Sequence, residues 1–256
     1  MAWLDLSVEA AAHAPELEHM PVLSSVERVV VENTWRGRML NEHASARVFA
    51  QLIPQLMAAE VAPRHQAAVA DMVGEELHHA RLCAGVLHAL GARPAGALPP
   101  LIPVPSHDDA ASPLEALLRN VLSVCCLSET VAVALIDAER RALDDSPLAG
   151  VLKRILGDEV GHARLGWTLL AEAPLDDALR GRLSAYLPVA LAHLEAHELA
   201  HLAPVAPPAA AQALGACDGA LAREIFHATV EEIILPGLER YGLEGRAAWA
   251  RRARAA

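Results

Sequence analysis

Apolar residues recur along most of this chain at the three- and four-residue spacing of amphipathic helices. Trp35, Met39, Ala46, Phe49 and Ile53 share one face of a first helix that runs from residue 36 to about Glu60, with a kink expected at Pro54. A second opens at Pro63 and stops at Leu90-Gly91, with Val69, Met72, Val73, Cys83, Val86, Leu87 and Leu90 as its stripe. A third starts at Ser112-Pro113-Leu114-Glu115, with Ser112 as cap, and runs to about Leu143; Leu122, Cys125, Cys126, Ala132, Val133 and Ile136 line it. A fourth begins near Pro147 and ends before Pro174, carrying Leu152, Ile155, Leu169 and Leu170. The first 20 or so residues read as irregular. Residues 24–35, with Val29-Val30-Val31, suit a strand or a buried helix equally. A fifth helix reaches about Leu202, interrupted at Pro188, and two shorter ones follow at 218–234 and 244–254.

Residues 92–111 hold Pro94, Pro99, Pro100, Pro103 and Pro105 and cannot be regular helix. A connection this long needs a reason in a compact domain. One long crossover between two helical hairpins supplies it, as in some four-helix bundles. The expected fold is therefore all-α: an N-terminal segment (1–35), a four-helix bundle (36–173) and a C-terminal helical extension (174–256).

Polar residues interrupt the four stripes at their centres. Glu75-Glu76-Leu77-His78-His79-Ala80-Arg81-Leu82 and Asp158-Glu159-Val160-Gly161-His162-Ala163-Arg164-Leu165 are near copies, identical at five of eight positions. Each contains Glu-x-x-His, which sets Glu76 with His79 and Glu159 with His162 on one helix face. Glu42 shares the apolar face of the first helix and Glu129 that of the third. Each precedes the Glu of the following helix by thirty-odd residues, so an antiparallel hairpin can bring both acids to one level. A desolvated carboxylate without a partner is costly, and a metal ion is a natural partner. A Glu from each of two helices plus Glu-x-x-His from each of two others is the ligand pattern of di-iron and di-manganese bundles. Four carboxylates neutralise two divalent ions. Carboxylate with imidazole suits iron or manganese and admits zinc. Glu75 with His78 is a rival pairing, but His78 aligns with Gly161. Glu75 and Asp158 belong either behind the histidine rings or on the surface.

These residues resemble the ferritin-like superfamily over about 36–173. Bacterioferritins and rubrerythrins show the same order of ligands: a Glu, a Glu-x-x-His, a Glu, a Glu-x-x-His. Here those are Glu42, Glu76 with His79, Glu129, and Glu159 with His162. The resemblance implies a bundle holding two iron ions, with manganese or a mixed pair as variants, that reacts with oxygen or peroxide. Some relatives go on to oxygenate an organic substrate, so a small-molecule substrate or an electron donor is an expected partner. The alternative is an iron-binding or detoxifying protein with no organic substrate. The chain is longer than a typical storage ferritin and lacks rubredoxin cysteines.

Composition narrows the partners. The net charge of −11 argues against nucleic acid and against an anionic membrane surface. No uninterrupted 18-residue apolar run suggests a membrane span. Hydrophobic residues make up 54% and aromatics 3%, so the core is expected to be Leu, Val and Ala between helices. Cys83, Cys125, Cys126 and Cys217 form no C-x-x-C pair, and the N-terminus lacks the basic region of a signal peptide; a reducing cytoplasm is the expected setting. A homo-oligomer is left open.

Glu-x-x-His also occurs at Glu16/His19, Glu198/His201 and Glu224/His227, so the motif alone is cheap in this chain. His197-Glu198-Leu199-Ala200-His201 matches the zinc-protease pattern H-E-x-x-H, which makes a zinc hydrolase a further alternative. No third ligand follows it; a solvated histidine face, with His193 extending the row, is the plainer reading. Cys125 and Cys126 read as small buried thiols. Tyr186 and Tyr241 lie outside the four ligand helices and read as packing residues.

Overall fold

The computed structural model describes residues 2–18, 20–200 and 202–253. A short strand, β1 (Trp3–Asp5), and a 3-10 turn (Ala10–His13) precede α1 (Ser25–Ala58) and α2 (Pro63–Ala89). β2 (Ala95–Ala97) lies in the crossover and pairs antiparallel with β1, Leu4 opposite Gly96. The third rod of the bundle is α3 (Pro113–Val121), a π-helical segment (Leu122–Ser128) and α4 (Glu129–Ala142); the fourth is α5 (Pro147–Glu172). The extension consists of α6 (Asp177–Leu199), α7 (Ala209–Gln212), α8 (Gly219–Thr229), a second π segment (Val230–Ile234), α9 (Leu235–Arg240) and α10 (Gly245–Arg251). The all-α bundle with one long crossover is thus present.

The ambiguous stretch 24–35 is helix. Ser24 and Glu27 form a reciprocal capping box, the Ser24 amide donating to the Glu27 carboxylate at 2.8 Å and the Glu27 amide to Ser24 Oγ at 3.3 Å. The first bundle helix therefore starts eleven residues earlier than the apolar stripe indicated. It also runs through Pro54 as one helix. Pro54 and Ala50, whose carbonyl loses its partner, are both exposed, so water can satisfy that carbonyl. Nor does Pro188 interrupt α6, where Leu183, Leu187, Leu191 and Leu194 continue one buried stripe on both sides of it.

Ser112 caps α3 as expected, accepting from the Glu115 amide at 3.2 Å. The Glu115 carboxylate, fully buried, instead accepts from the Ala111 amide, from Arg119 at 2.7 Å and from Arg182 of α6 at 2.5 Å. This ties the end of the crossover and the extension to the third rod. Burial opposes its charge, but Arg182, the Ala111 amide and Arg119 outweigh it and hold the carboxyl below its ordinary 4.5.

The third rod, Pro113–Ala142, has a mean hydropathy of 1.9 over its most apolar 18 residues, enough by length and composition to cross a membrane. Ser123, Ser128, Glu129 and Thr130 keep it from being one unbroken apolar run. Its buried face carries Glu129 and packs against α5, as a core helix of a bundle does.

In the π segment Cys125, Cys126 and Leu127 are buried in succession. α3 is buried in the same way over Leu117, Leu118, Arg119, Asn120 and Val121, because this rod is packed on several sides; π turns recur at functional sites, and this one ends at Glu129. Gly166 of α5 faces this segment so closely that a Cβ there would lie 2.4 Å from Cys125 Cβ and 2.9 Å from the Cys125 carbonyl carbon.

Two outcomes are expected. Gly166→Ala must push α5 off the π segment and should cost about 1–3 kcal/mol, seen as a lower urea midpoint. Glu115→Ala should cost about 3 kcal/mol, toward the lower end for a broken buried pair because Arg182 can turn to solvent. A depressed carboxyl contributes stability above 4.5 that is lost as pH falls through its lowered value. Glu115→Gln should therefore narrow the gap between urea midpoints measured at pH 7 and at pH 3.

Candidate metal centre

The structure brings all six candidate ligands into one layer. Glu42 comes from α1, Glu76 and His79 from α2, Glu129 from the first position after the π segment, and Glu159 and His162 from α5. One atom from each of Glu42, Glu76, His79 and Glu159 lies within 4.8 Å of the others, and so does one from each of Glu76, Glu129, Glu159 and His162. Glu76 and Glu159 belong to both groups. Five of the six are buried, and Glu42 is the most open at 13% side-chain exposure.

The two histidines are arranged alike. Nδ1 of His79 lies 3.3 Å from Glu159, 3.5 Å from Glu42 and 3.9 Å from Glu76. Nδ1 of His162 lies 3.2 Å from Glu76 and 3.3 Å from Glu159. Their outer nitrogens are held crosswise: Nε2 of His79 by Asp158 at 3.1 Å, and Nε2 of His162 by Glu75 at 2.9 Å. Each acid sits one residue before the Glu of its own motif and serves the histidine of the other. Of the two places open to Glu75 and Asp158, the one behind the rings is occupied. Asp158 also faces Arg154 at 3.5 Å, a contact the motif comparison does not reveal. Phe49 packs edge-on to the His162 ring at 5.4 Å.

A metal fits what these residues leave undone. Nδ1 of both histidines and one oxygen each of Glu76 and Glu159 are buried without a hydrogen-bond partner, although each points into the shared space. Such orphans are rare inside proteins and need an explanation. Without a cation the charges conflict. Burial, followed by the charges of Glu159 and Glu42, pushes the Glu76 carboxyl well above its ordinary range. Burial and Glu159 do the same to Glu129. Burial also opposes charge on Glu159, but the imidazoles of His162 and His79 and the Glu129 carboxyl hold it far below the usual range. Burial works against protonated histidine, yet the close carboxylates win: His79 is raised to about 10 and His162 to about 9. Two divalent ions would replace those protons.

The rival assignments lie elsewhere. His78 stands outside the layer, its ring 5.4 Å from that of His13. His201 of the H-E-x-x-H pattern, and His19 of the Glu16/His19 pair, lie outside the described residues. His193 and His197 stack at 6.1 Å, and burial raises the Glu198 carboxyl to about 7. Among the described residues, metal-holding groups of three or more ligands occur at the bundle centre alone. Cys125 and Cys126 are buried thiols whose pKa burial pushes up, so they stay protonated. Tyr186 pairs with Ser123 at 2.9 Å in the packing against the π segment.

In chelator-treated protein Glu129→Gln should raise the Tm by a few degrees at pH 8. An acid with a raised pKa gives stability that is complete below 4.5 and lost as pH rises above it. The amide escapes that loss, so the advantage over wild type should vanish near pH 4 in the same thermal scans.

No protein-family model matches the chain, and no curated protein matches it in sequence. A solved structure from Synechococcus, described as Protein 19 with aldehyde deformylating oxidase activity, is similar with a TM-score of 0.62. The two share 19% sequence identity over 89% of this chain and 98% of the other. At that identity the likeness establishes the fold, a ferritin-like helical bundle carrying the layer of buried carboxylates and imidazoles described above.

Proposed function

We propose that the chain is a di-iron carboxylate oxidoreductase that reacts with oxygen or peroxide and acts on a small organic substrate. One observation carries the reading: four carboxylates and two imidazoles converge in one layer, and Nδ1 of both histidines and one oxygen each of Glu76 and Glu159 are buried there without a hydrogen-bond partner. The activity named for the Synechococcus protein makes an aldehyde the first candidate substrate. Manganese or a mixed iron–manganese pair would suit the same donors.

Glu42 and His79 would hold one ion, Glu129 and His162 the other, with Glu76 and Glu159 shared between them. Bound iron supplies the electrons that reduce oxygen. The chain's own residues set the conditions. Once metal replaces the inner proton, Asp158 and Glu75 would keep the remaining proton of each imidazole on its outer Nε2 and leave the Nδ1 lone pair facing inward. Phe49 and Cys83, both fully buried, keep bulk water from the layer. Glu42, more open than the other five, marks the α1 side as the approach for oxygen and substrate. There Arg38 of α1 bridges to Glu139 of α4 at 2.6 Å, one helical turn from Glu42.

Anaerobic loading with ferrous iron should give two ions per chain, and admitting oxygen with an aldehyde should consume both. Glu76→Ala and Glu159→Ala should lose both ions, whereas Glu42→Ala and Glu129→Ala should lose one. Ferric mineral without aldehyde loss would support an iron-detoxifying protein instead. One zinc per chain, lost in His197→Ala, would support the hydrolase. Full metal content in both Glu76→Ala and Glu159→Ala would overturn the ligand set.

A further inference from the structure

Only 3% of this chain is aromatic, with four Trp and two Tyr. Two of those six form a column that starts beside the metal layer. Thr130 follows Glu129 directly, and its Oγ1 accepts a hydrogen bond from Trp167 Nε1 at 3.1 Å. The Trp167 indole stacks on Tyr241, ring centroids 6.2 Å apart and planes within 18°. Tyr241 lines an open surface cavity of about 620 Å³ with Arg180 and Arg240. The column is held from outside. The α9 backbone presses on the indole at Gly237, where a Cβ would lie 2.9 Å from the ring, and Arg180 Nε donates to the Tyr241 carbonyl at 3.2 Å. Trp35 and Trp249 are differently employed: Trp35 Nε1 donates to the Leu214 carbonyl, and Trp249 stacks under Arg252.

We propose that Trp167 and Tyr241 form an electron relay that discharges the metal centre when oxygen has been activated without substrate. This rests on the di-iron reading above. Indole and phenol are the side chains most easily oxidised by one electron, thiols aside. Electron tunnelling slows exponentially with distance, so an intermediate ring divides one long jump into two short ones. Oxygen activated at the centre is the oxidant. Trp167 gives it one electron and keeps its N–H on Thr130. Tyr241 then returns one electron to Trp167 and releases its phenolic proton to water in the surface cavity, becoming a neutral phenoxyl radical. A hydrogen-atom donor in solution, such as ascorbate or a thiol, restores Tyr241 with one electron and one proton. The oxidising equivalent thus leaves through the surface rather than attacking the ligand side chains.

The test is freeze-quench electron paramagnetic resonance on ferrous-loaded protein exposed to oxygen without aldehyde, with iron content and oxygen uptake measured on the same samples. The expected result is a tyrosyl signal that ascorbate removes. Tyr241→Phe keeps the stacked ring but should abolish that signal and leave a tryptophan radical; Trp167→Phe should abolish both. Both variants should accumulate oxidised side chains around the centre, read as added oxygen by peptide mass spectrometry. Normal iron content and oxygen uptake with no radical on either residue, or with a signal unchanged in both variants, would overturn the relay alone. Failure of the wild type to bind iron would overturn the di-iron reading and the relay with it.

Discussion

A layer of ionisable groups cuts the apolar core of this bundle in two. On one side Val31, Trp35, Met39, Cys83, Leu87, Leu152 and Ile155 pack together; on the other Phe49, Leu52, Val69, Met72, Leu122, Cys126 and Leu170 do. Removing several carboxylates from water costs several kcal/mol each unless they find counter-charge or protons. Two imidazoles cannot supply it for four acids. Each helix nevertheless interrupts its stripe at the matching height, and the layer so formed has the donors and the charge to hold cations. The crossed acids follow from the same need. A ring that must present one nitrogen inward needs its other nitrogen fixed, and the neighbouring motif lies at the right level to do it.

The third rod supplies the last carboxylate at a price in regularity. A π turn lies directly ahead of Glu129, its Cys125, Cys126 and Leu127 are buried, and α5 approaches it with a glycine. π turns lose hydrogen-bond geometry and survive where surrounding contacts hold them. The extension provides those contacts. Leu183, Leu187 and Leu191 of α6 and Phe226 of α8 join the same apolar cluster as Leu122 and Cys126, and Tyr186 bonds to Ser123 within the π segment. Residues beyond 174 therefore act as a brace for the irregular rod.

Much of this was legible in the residue pattern. The helices, the long crossover and the six converging side chains follow from periodicity and a repeated motif, because metal ligation restricts both residue type and helix face. The capping box at Ser24 is written in the sequence too, but the β propensity of Val29-Val30-Val31 competes with it. The π segment was not readable: Leu122, Cys125, Cys126 and Glu129 fit an α-helical face well enough that nothing demanded an extra residue. Pro54 and Pro188 misled for the opposite reason, since their local penalty is met by solvent at one and offset by flanking burial at the other. Hydrogen bonds between distant segments, such as Trp167 to Thr130, leave no periodic trace.

The two halves of the centre are related by repetition but are not equivalent. On the Glu42 side the ligand and its supporting acid are both slightly open, Glu42 at 13% and Asp158 at 16%, and Asp158 also faces Arg154. On the Glu129 side the ligand is buried, and it is the supporting acid, Glu75, that is open at 39%. Glu42 is thus the ligand of the six that keeps most contact with solvent. The aromatic column leaves from the second half, where Thr130 follows Glu129. The approach proposed beside Glu42 and the relay proposed beside Glu129 would use different ligands of the centre. On those two proposals a bound substrate would compete with the relay by rate alone: with substrate present the short reaction beside Glu42 would win, and without it the longer path through two rings would remain.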